Sequence, residues 1–180
     1  MENFFDKKNQ KIIIEIGSGS GENLFFLSKK YPKRKIIGIE PFRNGLANSV
    51  DFCLKNKTQN IFLYPHVFQK FAKIFKNYYF DRCYIFFPDP WPKKKHLKRR
   101  LINFEFLKDL IQRCLRKGSI FFGSDNLDYF QIVKNYALEI KKDVKISVKQ
   151  YKKTPTILTK YHYRAIKCRN IVNFLKIDKI

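Results

Sequence analysis

The sequence predicts an α/β fold: a parallel sheet with helices on both faces. Two observations predict it. Five short apolar runs, rich in Ile and Phe, alternate with longer stretches of helical spacing. The runs are almost continuously apolar, as strands buried on both faces must be.

The first strand is Lys11 to Ile16, ending at a glycine cluster. Glu22 to Tyr31 follows as a helix with Leu24, Phe25, Leu27 and Tyr31 at helical spacing, and Pro32 stops it. Lys35 to Glu40 is the second strand. Asn44 to Lys55 reads as a helix with Leu46, Val50 and Leu54 on one face. Asn60 to Tyr64 is the third strand and Val67 to Phe75 a short helix. Asp81 to Phe87 is the fourth strand, Asn103 to Arg116 an amphipathic helix, Gly118 to Ser124 the fifth strand and Leu127 to Lys141 another helix. Two β-rich stretches close the chain, near Asp143 to Lys149 and Asn170 to Ile177.

Composition sets the class. The 180 residues suit one domain, 1–180, and 44% apolar against 29% charged residues specifies a folded chain. No segment approaches the roughly 20 apolar residues of a membrane span. Met1 to Asn9 is polar, with no export signal, so a cytoplasmic location is expected. Cys53, Cys83, Cys114 and Cys168 lie far apart, which disfavours a metal site or a disulfide scaffold. Three of them sit in apolar runs and read as reduced core residues. The net charge of +23 points to a polyanionic partner. A bland source competes: 29 Lys against 9 Arg, with 21 Ile, 13 Asn and only 4 Ala, is the skew of an A/T-rich genome.

In parallel sheets ligands bind beyond the carboxyl ends of the strands, so residues just after each strand matter most. After the first strand stands Glu15-Ile16-Gly17-Ser18-Gly19-Ser20-Gly21-Glu22. A dinucleotide loop wants Gly or Ala where Glu22 stands, and an anion at that helix start repels pyrophosphate. Glu40 ends the second strand, where a carboxylate can accept both ribose hydroxyls of a nucleoside cofactor. After the fourth strand comes Phe86-Phe87-Pro88-Asp89-Pro90-Trp91-Pro92, then a basic run from Lys93 to Arg100 broken by His96 and Leu97. The prolines fix the chain around Asp89. A rigid carboxylate beside cations suits a nucleobase with its phosphates. Ser124-Asp125-Asn126 follows the fifth strand, and helix capping is its other reading.

Together with Thr159-Lys160-Tyr161, these motifs occur in the order found in the bacterial tRNA (guanine-N7-)-methyltransferase family, which the chain resembles from about Lys11 to Leu175. The Phe-Pro-Asp-Pro-Trp segment with its basic tail carries most of the specificity. The resemblance implies a Rossmann-like class I methyltransferase fold: a mostly parallel seven-stranded sheet with an antiparallel C-terminal strand. It implies S-adenosyl-L-methionine as cofactor, tRNA as partner, and methylation of N7 of the guanosine at position 46 of the variable loop. It puts Glu15, Gly17, Gly19, Gly21, Glu40, Val67 and Asp89 at the cofactor, makes Asp89 catalytic, and gives Lys93, Asp125, Thr159, Lys160, Tyr161 and His162 to the substrate. No metal or membrane is implied, and a monomer or weak homodimer is expected. Three positions depart from the family pattern. Val67 replaces an acidic residue that contacts adenine, His162 replaces a glutamate, and only about ten residues precede the first strand. Two alternatives remain: a basic RNA-binding module that has lost catalysis, or a methyltransferase acting on another amine.

Overall fold

A computed structural model describes residues 11–180; the segment Met1 to Asn9 and its expected lack of an export signal lie outside the described residues. The elements are β1 (Ile12–Ile16), α1 (Glu22–Lys30), β2 (Lys35–Ile39), α2 (Arg43–Lys55), β3 (Ile61–Tyr64), α3 (Phe68–Ile74), β4 (Phe80–Phe86), α4 (Phe104–Arg113), β5 (Cys114–Ser124), α5 (Leu127–Ile140), β6 (Ile146–Tyr151), α6 (Lys160–Lys167) and β7 (Asn173–Lys179). A 3-10 helix, Lys94–Arg99, lies between β4 and α4 in sequence. The strands form one seven-stranded sheet in the order β3-β2-β1-β4-β5-β7-β6. β1 runs parallel to β2 and β4, and β2 parallel to β3. β7 runs antiparallel to both β5 and β6. This is the expected class: mostly parallel, with an antiparallel C-terminal strand.

The backbone gathers into two compact units, one ending at Tyr84 and one running from Ile85 to Ile180. In the first unit the core is Ile12, Ile13 and Ile14 of β1, Ile36, Ile37 and Ile39 of β2, and Leu24 and Leu27 of α1. Gly38 of β2 is required by this packing, because a Cβ there would collide with Leu24. Phe68 and Phe71 of α3 pack with Tyr78 and Phe80 as a second aromatic layer. α2 departs from expectation. Val50 and Leu54 of its stripe turn outward, with Leu54 73% exposed, Leu46 is half-buried, and its one buried residue is Ser49. The helix sits so close to the β1–α1 loop that a Cβ on Gly45 would lie 2.8 Å from the Gly19 carbonyl oxygen, and small residues must make that contact.

In the second unit, α4 and α5 start at asparagine caps. Asn103 accepts from the Phe106 N–H and Asn126 from the Tyr129 N–H. Leu107, Leu110 and Ile111 of α4 and Tyr129, Phe130, Val133 and Ala137 of α5 are buried. Helix α4 ends three residues before the expected Arg116, and β5 begins at Cys114. Both the 3-10 helix and α6 fall where no helix was expected. Cys83 and Cys114 are buried as predicted for core residues, whereas Cys53 is half-buried and Cys168 exposed.

Candidate active site

The first unit carries the β1–α1 loop. Gly17, Gly19 and Gly21 all take positive φ, and Gly21 caps α1 in the left-handed conformation. A Cβ on Gly17 would meet no atom within 4 Å, so the backbone there is open to close approach. A Cβ on Gly21 would sit 2.7 Å from Ser49 Oγ; this glycine serves packing. Glu40 is buried at the end of β2. Its Oε2 accepts from the Gly19 N–H at 2.7 Å and its Oε1 from the Phe42 N–H at 2.8 Å. Each oxygen keeps a lone pair, and the carboxylate also fixes the loop. Glu15, at the end of β1, is buried, and its Oε1 accepts from Asn23 Nδ2 at 3.1 Å. Glu15 Oε2, Asn23 Oδ1 and Ser18 Oγ are buried without a hydrogen-bond partner. Burial pushes the Glu15 carboxyl up to about 8, the Asn23 hydrogen bond pulls it down, and Glu22 and Glu40 push it up. Val67 lies at the start of α3, 49% exposed and extended, its carbonyl accepting from the Lys70 and Phe71 N–H groups.

The second unit, taken by itself, carries the loop after β4. Phe87 and Trp91, at either end of Pro88-Asp89-Pro90, both take positive φ (51° and 41°), a conformation costly for bulky residues. The Phe87 N–H holds the Gly123 carbonyl at 2.8 Å. Asp89 is exposed, and its carboxylate makes no hydrogen bond or ion pair among the described residues. The basic run then divides by role. Lys93, Lys94, Lys95 and Lys98 are exposed. Arg99 lies over the Trp91 ring, its guanidinium carbon 5.0 Å from the centroid. Arg100 is buried, with Nε donating to the Pro90 carbonyl at 2.7 Å and Nη2 to Asp128 Oδ2 at 2.7 Å.

The remaining candidates gather around α6. Thr159 is its N-cap and buried, though its hydroxyl makes no cap bond; Lys160 is exposed, and Tyr161 stacks on Phe87 with 6.5 Å between centroids. His162, which the resemblance gives to the substrate, points inward. It is 8% exposed between Phe87 and Phe174, and burial lowers its pKa. Asp125 Oδ2 accepts from Asn170 Nδ2 at 2.9 Å, tying the end of β5 to the residues after α6. The cap of α5 is Asn126, neither Ser124 nor Asp125.

Sequence reasoning passed over Asn23, Gly45 and Ser49. Asn23 had a signal: a polar residue beside Leu24 and four before Leu27, on the inward face of an amphipathic helix. Gly45 had a weaker one, a glycine inside a helical pattern. Among the described residues, no group of three or more His, Cys, Asp or Glu is placed to hold a metal ion.

Residues 9–174 match a protein-family model described as "Putative methyltransferase". A tRNA (guanine-N(7)-)-methyltransferase of Wolbachia pipientis wMel is 35% identical over 171 residues, covering 95% of this chain and 76% of that protein. The chain belongs to the tRNA (guanine-N7-)-methyltransferase family. A bifunctional methyltransferase of Rickettsia felis is 34% identical over 182 residues; they are 99% of this chain but 34% of that protein, so the chain spans about a third of this relative. In structure, a plantazolicin methyltransferase solved with SAH and a substrate analogue superposes with a TM-score of 0.64 at 14% identity, over 97% of this chain and 78% of that one. That likeness shows the class I methyltransferase fold of the family. No helix among the described residues is long and apolar enough to cross a membrane.

Proposed function

We propose that this chain transfers a methyl group from S-adenosyl-L-methionine to N7 of the guanosine at position 46 in tRNA, in the cytoplasm, as a monomer or weak homodimer. The observation that carries the reading is the loop after β4: an exposed carboxylate on a backbone held by two prolines, followed by exposed lysines.

The first unit fits the cofactor. The cationic methionine end finds its complement in Glu15 Oε2, Asn23 Oδ1 and Ser18 Oγ, three buried atoms without partners. The ribose hydroxyls find it in the remaining lone pairs of Glu40. Gly17 gives the backbone room for close approach. When bound, the cofactor supplies an electrophilic methyl group on a sulfonium. Guanine N7 has an in-plane lone pair and no proton, so no side chain has to act as a base before transfer. What the protein supplies is alignment and charge. As the methyl group arrives, positive charge appears on the imidazole part of the base, and the Asp89 carboxylate offsets it. Asp125, with one oxygen held by Asn170, suits the N1 and N2 donors of guanine. Lys93, Lys160 and Tyr161 extend the substrate surface, with Thr159 and His162 as supports beneath it.

Incubating the protein with unmodified tRNA and labelled cofactor tests the reading. 7-Methylguanosine in the nuclease digest is the expected product. A different methylated base would point to another amine, and tRNA binding without methyl transfer to a module that has lost catalysis. Either result overturns the proposal.

Two further outcomes are expected. Replacing Lys94, Lys95 and Lys98 by Ala should lower the salt slope of tRNA binding by roughly 0.7 to 0.9 for each phosphate no longer neutralised, with cofactor affinity unchanged. A fluorescence titration at several salt concentrations measures it, and an unchanged slope would remove this face from the RNA surface. Val67→Asp should act twice. An Asp at this N-cap stabilises α3 by ~1 kcal/mol, and an added acceptor for adenine tightens cofactor binding about fivefold. Melting without ligand isolates the first effect and calorimetric titration the second.

A further inference from the structure

Asn23 is 1% exposed on the inward side of α1, where an apolar residue would pack as well. Its Nδ2 holds Glu15 Oε1 at 3.1 Å, so the other oxygen, Oε2, is the one left without a partner. Asn23 Oδ1 and Ser18 Oγ are likewise unpartnered and buried. Buried polar groups left unsatisfied are costly, so three within the end of β1, its loop and the first turn of α1 mark a place built for a donor. The charged and titratable groups that bear on Glu15 are Glu22 in the first turn of α1, Glu40 at the end of β2 and Tyr84 on β4. None is a cation. Ionised Glu15 therefore has no counter-charge among the described residues, and burial keeps the carboxyl protonated at neutral pH.

We propose that Asn23 is a positioning residue for the cofactor: it turns Glu15 so that Oε2 meets the cationic methionine end, and the carboxyl releases a proton to solvent when that cation arrives. This rests on the cofactor reading given under Proposed function. The O–H bond of Glu15 breaks, its electron pair stays on the carboxylate, and the proton goes to buffer. Binding is then linked to pH: affinity rises as pH climbs toward about 8, where the empty protein loses the proton by itself, and levels off above it.

Calorimetric titration of the full chain with S-adenosylhomocysteine, in two buffers of different ionisation enthalpy, counts the protons. Close to one proton per bound ligand is expected at pH 6.5, and none for Glu15→Gln. The Asn23 bond pulls the Glu15 carboxyl down, so Asn23→Leu should carry proton release to higher pH. At pH 8.5 wild type should release about a quarter of a proton and the variant more than that. A purely structural asparagine would weaken binding and leave this pH curve in place, which would overturn its positioning role. The wild-type count needs no variant to fold: binding with less than half a proton released at pH 6.5 overturns the inference alone. Absence of binding overturns the cofactor reading and the inference with it.

Discussion

Asp89→Asn should slow single-turnover methyl transfer about a hundredfold and leave the melting temperature near that of the wild type. Asparagine is nearly isosteric but uncharged. It removes the carboxylate that we propose offsets charge developing on the guanine ring, and presents an N–H donor in its place. Removing one preorganised electrostatic partner costs ~3 kcal/mol at the transition state, which is about a factor of a hundred in rate. Folding should be indifferent, because the Asp89 side chain is exposed and makes no hydrogen bond or ion pair among the described residues. The loop keeps its shape through Pro88, Pro90, the bond from the Phe87 N–H to the Gly123 carbonyl and the grip of Arg100 on the Pro90 carbonyl. A carboxylate that merely tied down the turn would give the opposite pattern, lost stability with activity per folded molecule preserved. Rate and melting temperature measured on one preparation separate the two.

Much of this arrangement was legible because it follows from hydrophobic runs and backbone demands. An all-apolar strand ending in alternating glycines has few other structures open to it, and β1, its loop and Glu40 lie where those signals put them. The prolines around Asp89 were read the same way. What escaped the sequence depends on neighbours that lie far along the chain. The Leu46, Val50 and Leu54 stripe identified α2 as a helix, but periodicity does not say which side is inward when small residues make the contact, and Gly45 with Ser49 made it. Helix α6 is only eight residues long, and its inward side is made by His162 and Ala165 against Phe87 and Phe174, partners that lie elsewhere along the chain. Six cations between Lys93 and Arg100 look alike in sequence; only the fold shows that Arg100 faces inward while the lysines do not.

Arg100→Met should therefore behave unlike its lysine neighbours, destabilising the protein by about 2–3 kcal/mol while leaving the salt slope of tRNA binding where it was. The Arg100 side chain is only 5% exposed. Its guanidinium carbon lies 4.7 Å from the centroid of the Tyr129 ring, its Nε holds the Pro90 carbonyl, and its Nη2 holds Asp128, whose own side chain is 68% exposed. Methionine keeps much of the apolar packing on Tyr129 but leaves the Pro90 carbonyl without its donor. Asp128 loses little, because water replaces the guanidinium on an exposed carboxylate. At 180 residues, 2–3 kcal/mol corresponds to a fall in melting temperature of roughly 4–12 °C. Pro90 is the residue after Asp89, so releasing its carbonyl should also loosen the carboxylate and slow methyl transfer in molecules that remain folded. Asp128→Asn provides the matched control: it weakens one exposed partner, keeps the bond to Pro90, and should cost under about 1 kcal/mol. Thermal melting, single-turnover rate and salt-dependent tRNA binding on the three proteins decide the matter. An Arg100→Met protein with unchanged melting temperature and a reduced salt slope would move Arg100 out of the loop's support and onto the RNA surface with Lys94, Lys95 and Lys98.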